Sequence, residues 1–335
     1  MPYNPSYQSG FMRRFKSVKS RVSMMLASIA LLAGCAETSL DAESSYESVV
    51  KDDAFRASVD LPPGAAFVEL EQGFTYYEAA GLDTCDDPIV LVHGFSVPSY
   101  IWEPTFESLS NAGACVVMLD LYGRGFSDNP NVDYTDHLFA NQVLQLLDHL
   151  SLESATLIGL SNGGRVVSQV VGLAPERVER LIYVASSGFW DATRAEDVEV
   201  TAEEVDALIA SYPELPAGQL SDFKYPDRFP DWDDRYAELL VHKGFARALI
   251  STRKNHDSTE LDRIHAWLES SDIPVTTIWG DSDTVVVFDE FADKLERLLP
   301  KRNEYFVSES GHLPHMENPS EFQAILKSTL PGLSI

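Results

Sequence analysis

Five short, largely apolar runs, separated by segments of helical periodicity, constrain this chain most. They are Ile89-Val90-Leu91-Val92 and residues 115–119, 155–160, 181–184 and 275–279. Each is shorter than a typical buried helix and shows no in/out alternation, which fits strands covered on both faces. Between them, Phe139, Val143, Leu146 and Leu150 recur by four, three and four, one apolar stripe of a helix announced by Thr135 and Asp136. Strands alternating with such helices predict an α/β fold whose sheet is mostly parallel and flanked by helices. Ahead of the first run, residues 66–70 and 74–78 bracket Gly73 and predict an opening hairpin. The chain has 335 residues and 44% apolar content, enough for a large core and for one or two domains.

In a parallel sheet the chemistry collects at the carboxyl ends of the strands. One strand end carries Gly159-Leu160-Ser161-Asn162-Gly163, followed by Gly164 and a helical pattern. A serine on so sharp a strand-to-helix turn needs neighbours without bulk, and the turn lifts its hydroxyl above the sheet edge. That hydroxyl is a poor nucleophile at neutral pH and needs a base near pKa 7, held by a third group. His312, in Ser310-Gly311-His312 after the strand-like residues 305–307, suits the base. The orienting acid must come from another strand end: Asp283 or Asp281 after the run at 275–279, or Asp191 after the preceding one. A fourth strand end carries His93-Gly94-Phe95, whose Phe95 amide can join that of Asn162 in facing an oxyanion. The chain order Ser, Asp, His is the one stated for α/β-hydrolases.

From about residue 66 to 330 the chain resembles the α/β-hydrolase superfamily, in its lipase, esterase and C–C-bond hydrolase branch. The resemblance rests on Leu91-Val92-His93-Gly94-Phe95, on Trp102, on Asp120-Leu121-Tyr122-Gly123-Arg124-Gly125-Phe126-Ser127, on Ser161, on Asp283 third after Gly280, and on His312 with Glu317 and Pro319. It implies Ser161 as nucleophile, Asp283 as the acid and His312 as the base. It implies a core of residues 61–188 and 273–335, with residues 189–272 inserted as a helical cap. Phe189, Trp190, Phe229 and Trp232 are then candidates to line an acyl pocket. Asn162 departs from the Met or Gln frequent in relatives and makes the pocket floor more polar. Because the strands near Cys85 and Cys115 are neighbours in the family, the resemblance also implies a disulfide between them.

The activity implied is hydrolysis of a small-molecule or lipid carboxylic ester by a Ser-His-Asp triad, with no metal or organic cofactor. C–C-bond hydrolysis and perhydrolysis use the same triad, and a non-catalytic envelope binding module is the alternative from another class. The serine argues against haloalkane dehalogenase or epoxide hydrolase chemistry, since those relatives carry Asp there. The remaining histidines, His137, His149, His242, His256 and His265, read as non-functional, His315 as structural or pocket-lining, and Arg124 as a structural ion-pair partner.

Charge and the amino-terminal segment bear on partners and location. With 52 acidic against 25 basic residues the net charge is −27, which argues against nucleic-acid binding. An acidic cap predicts discrimination against anionic substrates. Residues 12–35 read as an export signal: Arg13, Arg14, Lys16, Lys19 and Arg21, then an apolar stretch shorter than the ~20 residues of a membrane span. It closes on Leu32-Ala33-Gly34-Cys35, which resembles a bacterial lipobox and implies lipidation of Cys35 and a lipid-anchored place in the cell envelope. Ala36 after the cysteine favours the outer membrane. Met12 competes with Met1 as the start, and residues 36–60 read as a flexible acidic tether.

Overall fold

The computed structural model describes residues 46–84 and 87–330. Its centre is an eight-stranded sheet of β1 (Ala65–Leu70), β2 (Gly73–Ala80), β3 (Ile89–Val92), β4 (Val116–Leu119), β5 (Ala155–Leu160), β6 (Val178–Val184), β7 (Val275–Gly280) and β8 (Asn303–Val307), in spatial order β1-β2-β4-β3-β5-β6-β7-β8. β1 and β2 form the expected hairpin and β2 pairs antiparallel with β4; every later pairing is parallel. Each apolar run became a strand, and β3, β4, β5 and β7 are buried at every position. Such burial on both faces explains why these runs lack alternation.

Helices cover the two faces: α1 (Asp53–Ser58), α2 (Glu103–Asn111), α3 (Asp136–His149) and α4 (Asn162–Leu173) before β6. Thr135 caps α3 by accepting from the Leu138 N–H, and Phe139, Val143 and Leu146 are buried. Between β6 and β7 the chain makes a helical excursion of α5 (Ala202–Ala210), α6 (Leu215–Gly218), α7 (Trp232–Ala237), α8 (Phe245–Lys254) and α9 (Ser258–Leu268). Then come α10 (Ala292–Leu298), α11 (Pro314–Glu317) and α12 (Pro319–Thr329). The apolar residues from Leu239 to Leu249 are divided between two helical segments at Gly244. Its φ of 90° is a left-handed conformation that ends one segment and starts α8.

One expectation is corrected at the amino-terminal side. Residues 46–58, read as part of a flexible tether, pack as a strap across the helical excursion and the core. The Glu47 carboxylate accepts from the Gly244 N–H at 2.8 Å, the Ala246 N–H at 2.6 Å and the Tyr212 hydroxyl at 2.8 Å. Val49 bridges to His242, and Lys51 Nζ donates to Ser127 O and Asn129 Oδ1. Arg56 reaches Asp128 at 3.1 Å and lies 3.9 Å above the Phe74 ring. Polar composition hid this docking because hydrogen bonds carry much of it, with ring contacts of Tyr46 on Tyr212 and of Phe55 on Phe126 and His242 beside them. Glu47→Ala should therefore destabilise the protein by about 2 kcal/mol, given half-buried charged hydrogen bonds. Thermal melting should show a drop of several degrees, and a shift below about 1 °C would refute the strap.

Cys115, just before β4, is disulfide-bonded. Its expected partner Cys85, the lipidation candidate Cys35 and the whole export signal lie outside the described residues. Among the described residues, no helix is long and apolar enough to cross a membrane.

Candidate active site

Ser161 joins β5 to α4 with φ 52° and ψ −118°, a conformation that ordinary residues avoid. Three glycines make the turn possible. A Cβ at Gly159 would lie 2.5 Å from Gly163 O, one at Gly163 2.3 Å from Val92 O, and one at Gly164 2.0 Å from Ser186 Oγ. The Ser161 N–H donates to Val184 O at 2.9 Å, fastening the turn to β6.

The loop after β3 lies against this serine. A Cβ on Gly94 would sit 3.3 Å from Ser161 Cβ and 3.9 Å from Oγ. Among the described residues no acceptor takes the N–H of Phe95 or of Asn162, so both donors are available beside the hydroxyl. His93 sets the loop: Leu121 N–H donates to its Nε2 and its Nδ1–H donates to Gly94 O, each at 2.9 Å. Gly94 O belongs to the same peptide group as the Phe95 N–H, so this bond polarises the donor as well as aiming it. Burial, then the charge of Arg124, lower the His93 pKa to about 3, which keeps the ring neutral and in the tautomer these bonds need.

Arg124 corrects an expectation. It is 1% exposed and makes no ion pair among the described residues. Its guanidinium donates to Phe95 O, Tyr122 O and Thr252 Oγ1. Burial lowers its pKa to about 10, so it stays protonated at neutral pH as a buried cation behind the Phe95 loop.

His312 and Asp283 meet as the sequence suggested. His312 Nδ1–H donates to Asp283 Oδ2 at 2.9 Å, with side chains 6% and 4% exposed. The other Asp283 oxygen accepts from the Val285 and Val286 N–H groups at 2.8 and 2.9 Å, which locks the carboxylate. Burial by itself would lower the His312 pKa, but the Asp283 charge and hydrogen bond, with the charge of Asp222, outweigh it and raise the value. The competing acids are accounted for. Asp281 accepts from Ser282 Oγ and from the Glu309 and Ser310 N–H groups, shaping the loop before His312, while Asp191 is exposed and paired with Lys294.

The helical excursion touches the histidine loop directly. The His312 N–H donates to Asp222 O at 2.8 Å, and Glu317 accepts from both the Gly311 and the Tyr225 N–H. Burial, with the nearby charge of Asp283, raises the Asp222 pKa against the opposing effect of His312. On the other side, His256 Nε2–H donates to Asn162 Oδ1 at 2.8 Å, so this histidine, read as non-functional, reaches the residue after the serine. His315 is structural: its Nε2–H donates to Ile101 O and its ring lies 4.4 Å from Trp102.

The four pocket candidates divide. Phe189 is fully buried among Tyr183, His265, Trp279 and Phe291, and Trp190 packs on the same core, so neither is a pocket wall. Phe189 follows β6 immediately and is enclosed before the chain leaves the core. Phe229 stacks on Phe223 at 4.1 Å, and Trp232 meets Phe223 edge-on, so these two sit beside Asp222. Asp222, Phe223 and His256 carried no local sequence signal; only the fold brings them here. Among the described residues, no group of three or more His, Cys, Asp or Glu is placed to hold a metal ion.

The family model for the alpha/beta hydrolase fold matches residues 87–319. The chain belongs to the alpha/beta hydrolase fold family. An uncharacterized protein of Mycobacterium tuberculosis is 28% identical over 262 residues, covering 71% of this chain and 74% of its own. The pimeloyl-[acyl-carrier protein] methyl ester esterase of Vibrio parahaemolyticus is 27% identical over 258 residues, covering 70% of this chain and 91% of its own. An esterase from Exiguobacterium antarcticum superposes with a TM-score of 0.64 at 22% identity, covering 79% of this chain and 98% of its own. In this alpha/beta hydrolase Ser161, Asp283 and His312 follow the ends of β5, β7 and β8, which lie on one side of the sheet order.

Proposed function

We propose that this alpha/beta hydrolase is a serine esterase acting on carboxylic esters through an acyl-enzyme. The observation that carries the reading is the strained Ser161 turn beside two uncommitted N–H donors, in a chain that also buries a His312–Asp283 pair. Ser161 Oγ attacks the acyl carbon as His312 takes its proton. The Phe95 and Asn162 amides hold the oxyanion, and loss of one such donor typically costs about 10²–10³ in turnover. His312 then returns the proton to the departing alcohol, Asp283 stabilises the imidazolium, and water, activated by the same histidine, releases the acid. Residues 189–272 act as a cap over this centre, consistent with the contacts from Asp222, Tyr225 and His256. The Leu32–Cys35 sequence supports a lipid anchor on a bacterial envelope, most simply the outer membrane, with the ester substrate met there.

A fluorophosphonate probe tests the assignment and separates an enzyme from a binding module on the same fold. Stoichiometric labelling at Ser161, lost in Ser161→Ala together with hydrolysis of p-nitrophenyl acyl esters, is the expected result. An unlabelled protein, or a Ser161→Ala variant that hydrolyses at the parental rate, would overturn it.

A further inference from the structure

The two sides of the nucleophile differ in charge. Near His312, where the leaving alcohol must sit to receive its proton, lies the half-buried carboxyl group of Asp222, which has no side-chain partner among the described residues. Around Phe95 and Asn162 the groups are cationic or are neutral donors. The Arg124 guanidinium lies 5.6 Å from the Phe95 ring centroid and that of Arg253 5.4 Å, and neither has a carboxylate partner among the described residues. The His256 ring is 6.4 Å from the same ring and is held to Asn162 Oδ1. Asn162 is 2% exposed, yet among the described residues its Nδ2 has no hydrogen-bond partner, a buried donor pair left open next to the oxyanion site. An unpaired buried amide is costly, which argues that something supplied from outside the chain completes it. The neighbouring charges are otherwise matched: Arg165 pairs with Asp136, Lys254 with Glu204, and Asp257 is committed to the Thr259 N–H.

The substituents of the attacked carbon give the direction. One is Ser161 Oγ, one the oxyanion, and one the leaving oxygen near His312; the acyl chain takes the remaining direction. We infer that this direction runs past the side chains of Phe95 and Asn162, away from their amides, to Arg253 and His256, and that this is a subsite for an acyl group carrying an anion, so that the preferred substrates are half-esters of dicarboxylic acids. The inference rests on the esterase reading and gives it a substrate class. Burial, followed by the charges of Arg165, Arg124 and Arg253, lowers the His256 pKa to about 3, so the imidazole adds no charge of its own and serves as a neutral donor to Asn162. Arg253, which is exposed beside the Phe95 ring, supplies the selective charge, and Arg124 a fixed positive field from behind the Phe95 loop. Asp222 opposes the same anion on the alcohol side and so sets the orientation of the substrate. This local field runs against the acidity of residues 189–272, from which discrimination against anionic substrates was expected.

The test compares kcat/KM for monoethyl glutarate, ethyl pentanoate and the reversed pair 3-carboxypropyl acetate and butyl acetate, with the wild-type protein at low salt. The expected result is a preference for monoethyl glutarate over ethyl pentanoate of about tenfold or more, the scale of one partly exposed charged contact, and the opposite preference within the reversed pair. Arg253→Gln should lower the glutarate-to-pentanoate ratio about tenfold, and Arg253→Lys should keep most of it. Because Arg253 is exposed, neither variant threatens folding. Preference for ethyl pentanoate, or a ratio untouched in Arg253→Gln, overturns the subsite while leaving the esterase standing. Turnover of none of the four esters, with Ser161 unlabelled by fluorophosphonate, overturns both.

Discussion

Asp283→Asn should lower kcat about 10⁴-fold with KM little changed, by analogy with removal of the orienting acid in serine proteases. The local geometry says why so small a change costs so much. One Asp283 oxygen is fixed by the Val285 and Val286 N–H groups, so an asparagine here keeps its carbonyl oxygen on those donors and turns its NH₂ to His312. That NH₂ requires an acceptor at His312 Nδ1 and drives the ring proton to Nε2, the atom that must be bare to take the Ser161 proton. The pH profile should change with the rate. His312 works as a base only when neutral, and its pKa stands above the ordinary imidazole value, so wild-type activity is lost as pH falls through a point displaced upward. Without the Asp283 charge the lowering effect of burial gains ground and the acid limb moves to lower pH, against the residual pull of Asp222. A variant with turnover within tenfold of the parent, or an acid limb that moves upward, would break the assignment of Asp283 as orienter.

What was legible in the sequence shares one property: the information lies within a few residues of the group that uses it. The turn at Ser161 demands glycines at Gly159, Gly163 and Gly164 within five positions, and the Cβ distances show each meeting an obstacle. The strands were legible because burial on both faces leaves largely apolar runs, and α3 because its cap and stripe are local. What was not legible comes from contacts between distant segments. His256 is 94 positions from Asn162, and nothing around either residue announces their bond. Asp222 reaches His312 through a backbone carbonyl, which any residue type can offer. Phe189 read as a pocket wall because aromatic residues suit both pockets and cores, and only its neighbours Tyr183, Trp279 and Phe291 decide between them. Arg124 read as an ion-pair partner from its place between two glycines; its actual partners are carbonyls and a hydroxyl, which no local pattern announces.

Gly163→Ala should cost about 3 kcal/mol or more of stability, a large loss for the addition of one methyl group. The added Cβ would lie 2.3 Å from Val92 O and 2.6 Å from His93 O, and both obstacles are backbone of the central strand β3 and the loop that follows it. A flexible side chain could swing away; β3 cannot, because it is bonded to β4 on one side and β5 on the other. Relief must come from α4 backing off the sheet, which carries the Asn162 amide away from the oxyanion position and loosens the Ser161 turn at the same time. Stability and turnover should therefore fall together. Gly218→Ala is the matched control: nothing lies within 4 Å of its added Cβ, and its φ of −61° suits alanine. That variant should be neutral to slightly stabilising, because alanine restricts the unfolded chain by about 0.4–1 kcal/mol. Urea titrations of the two variants should separate their midpoints widely with similar slopes. If the midpoints coincided, α4 would not be seated on β3 as closely as the strained turn requires, and the account of how Ser161 is held in position would have to be abandoned.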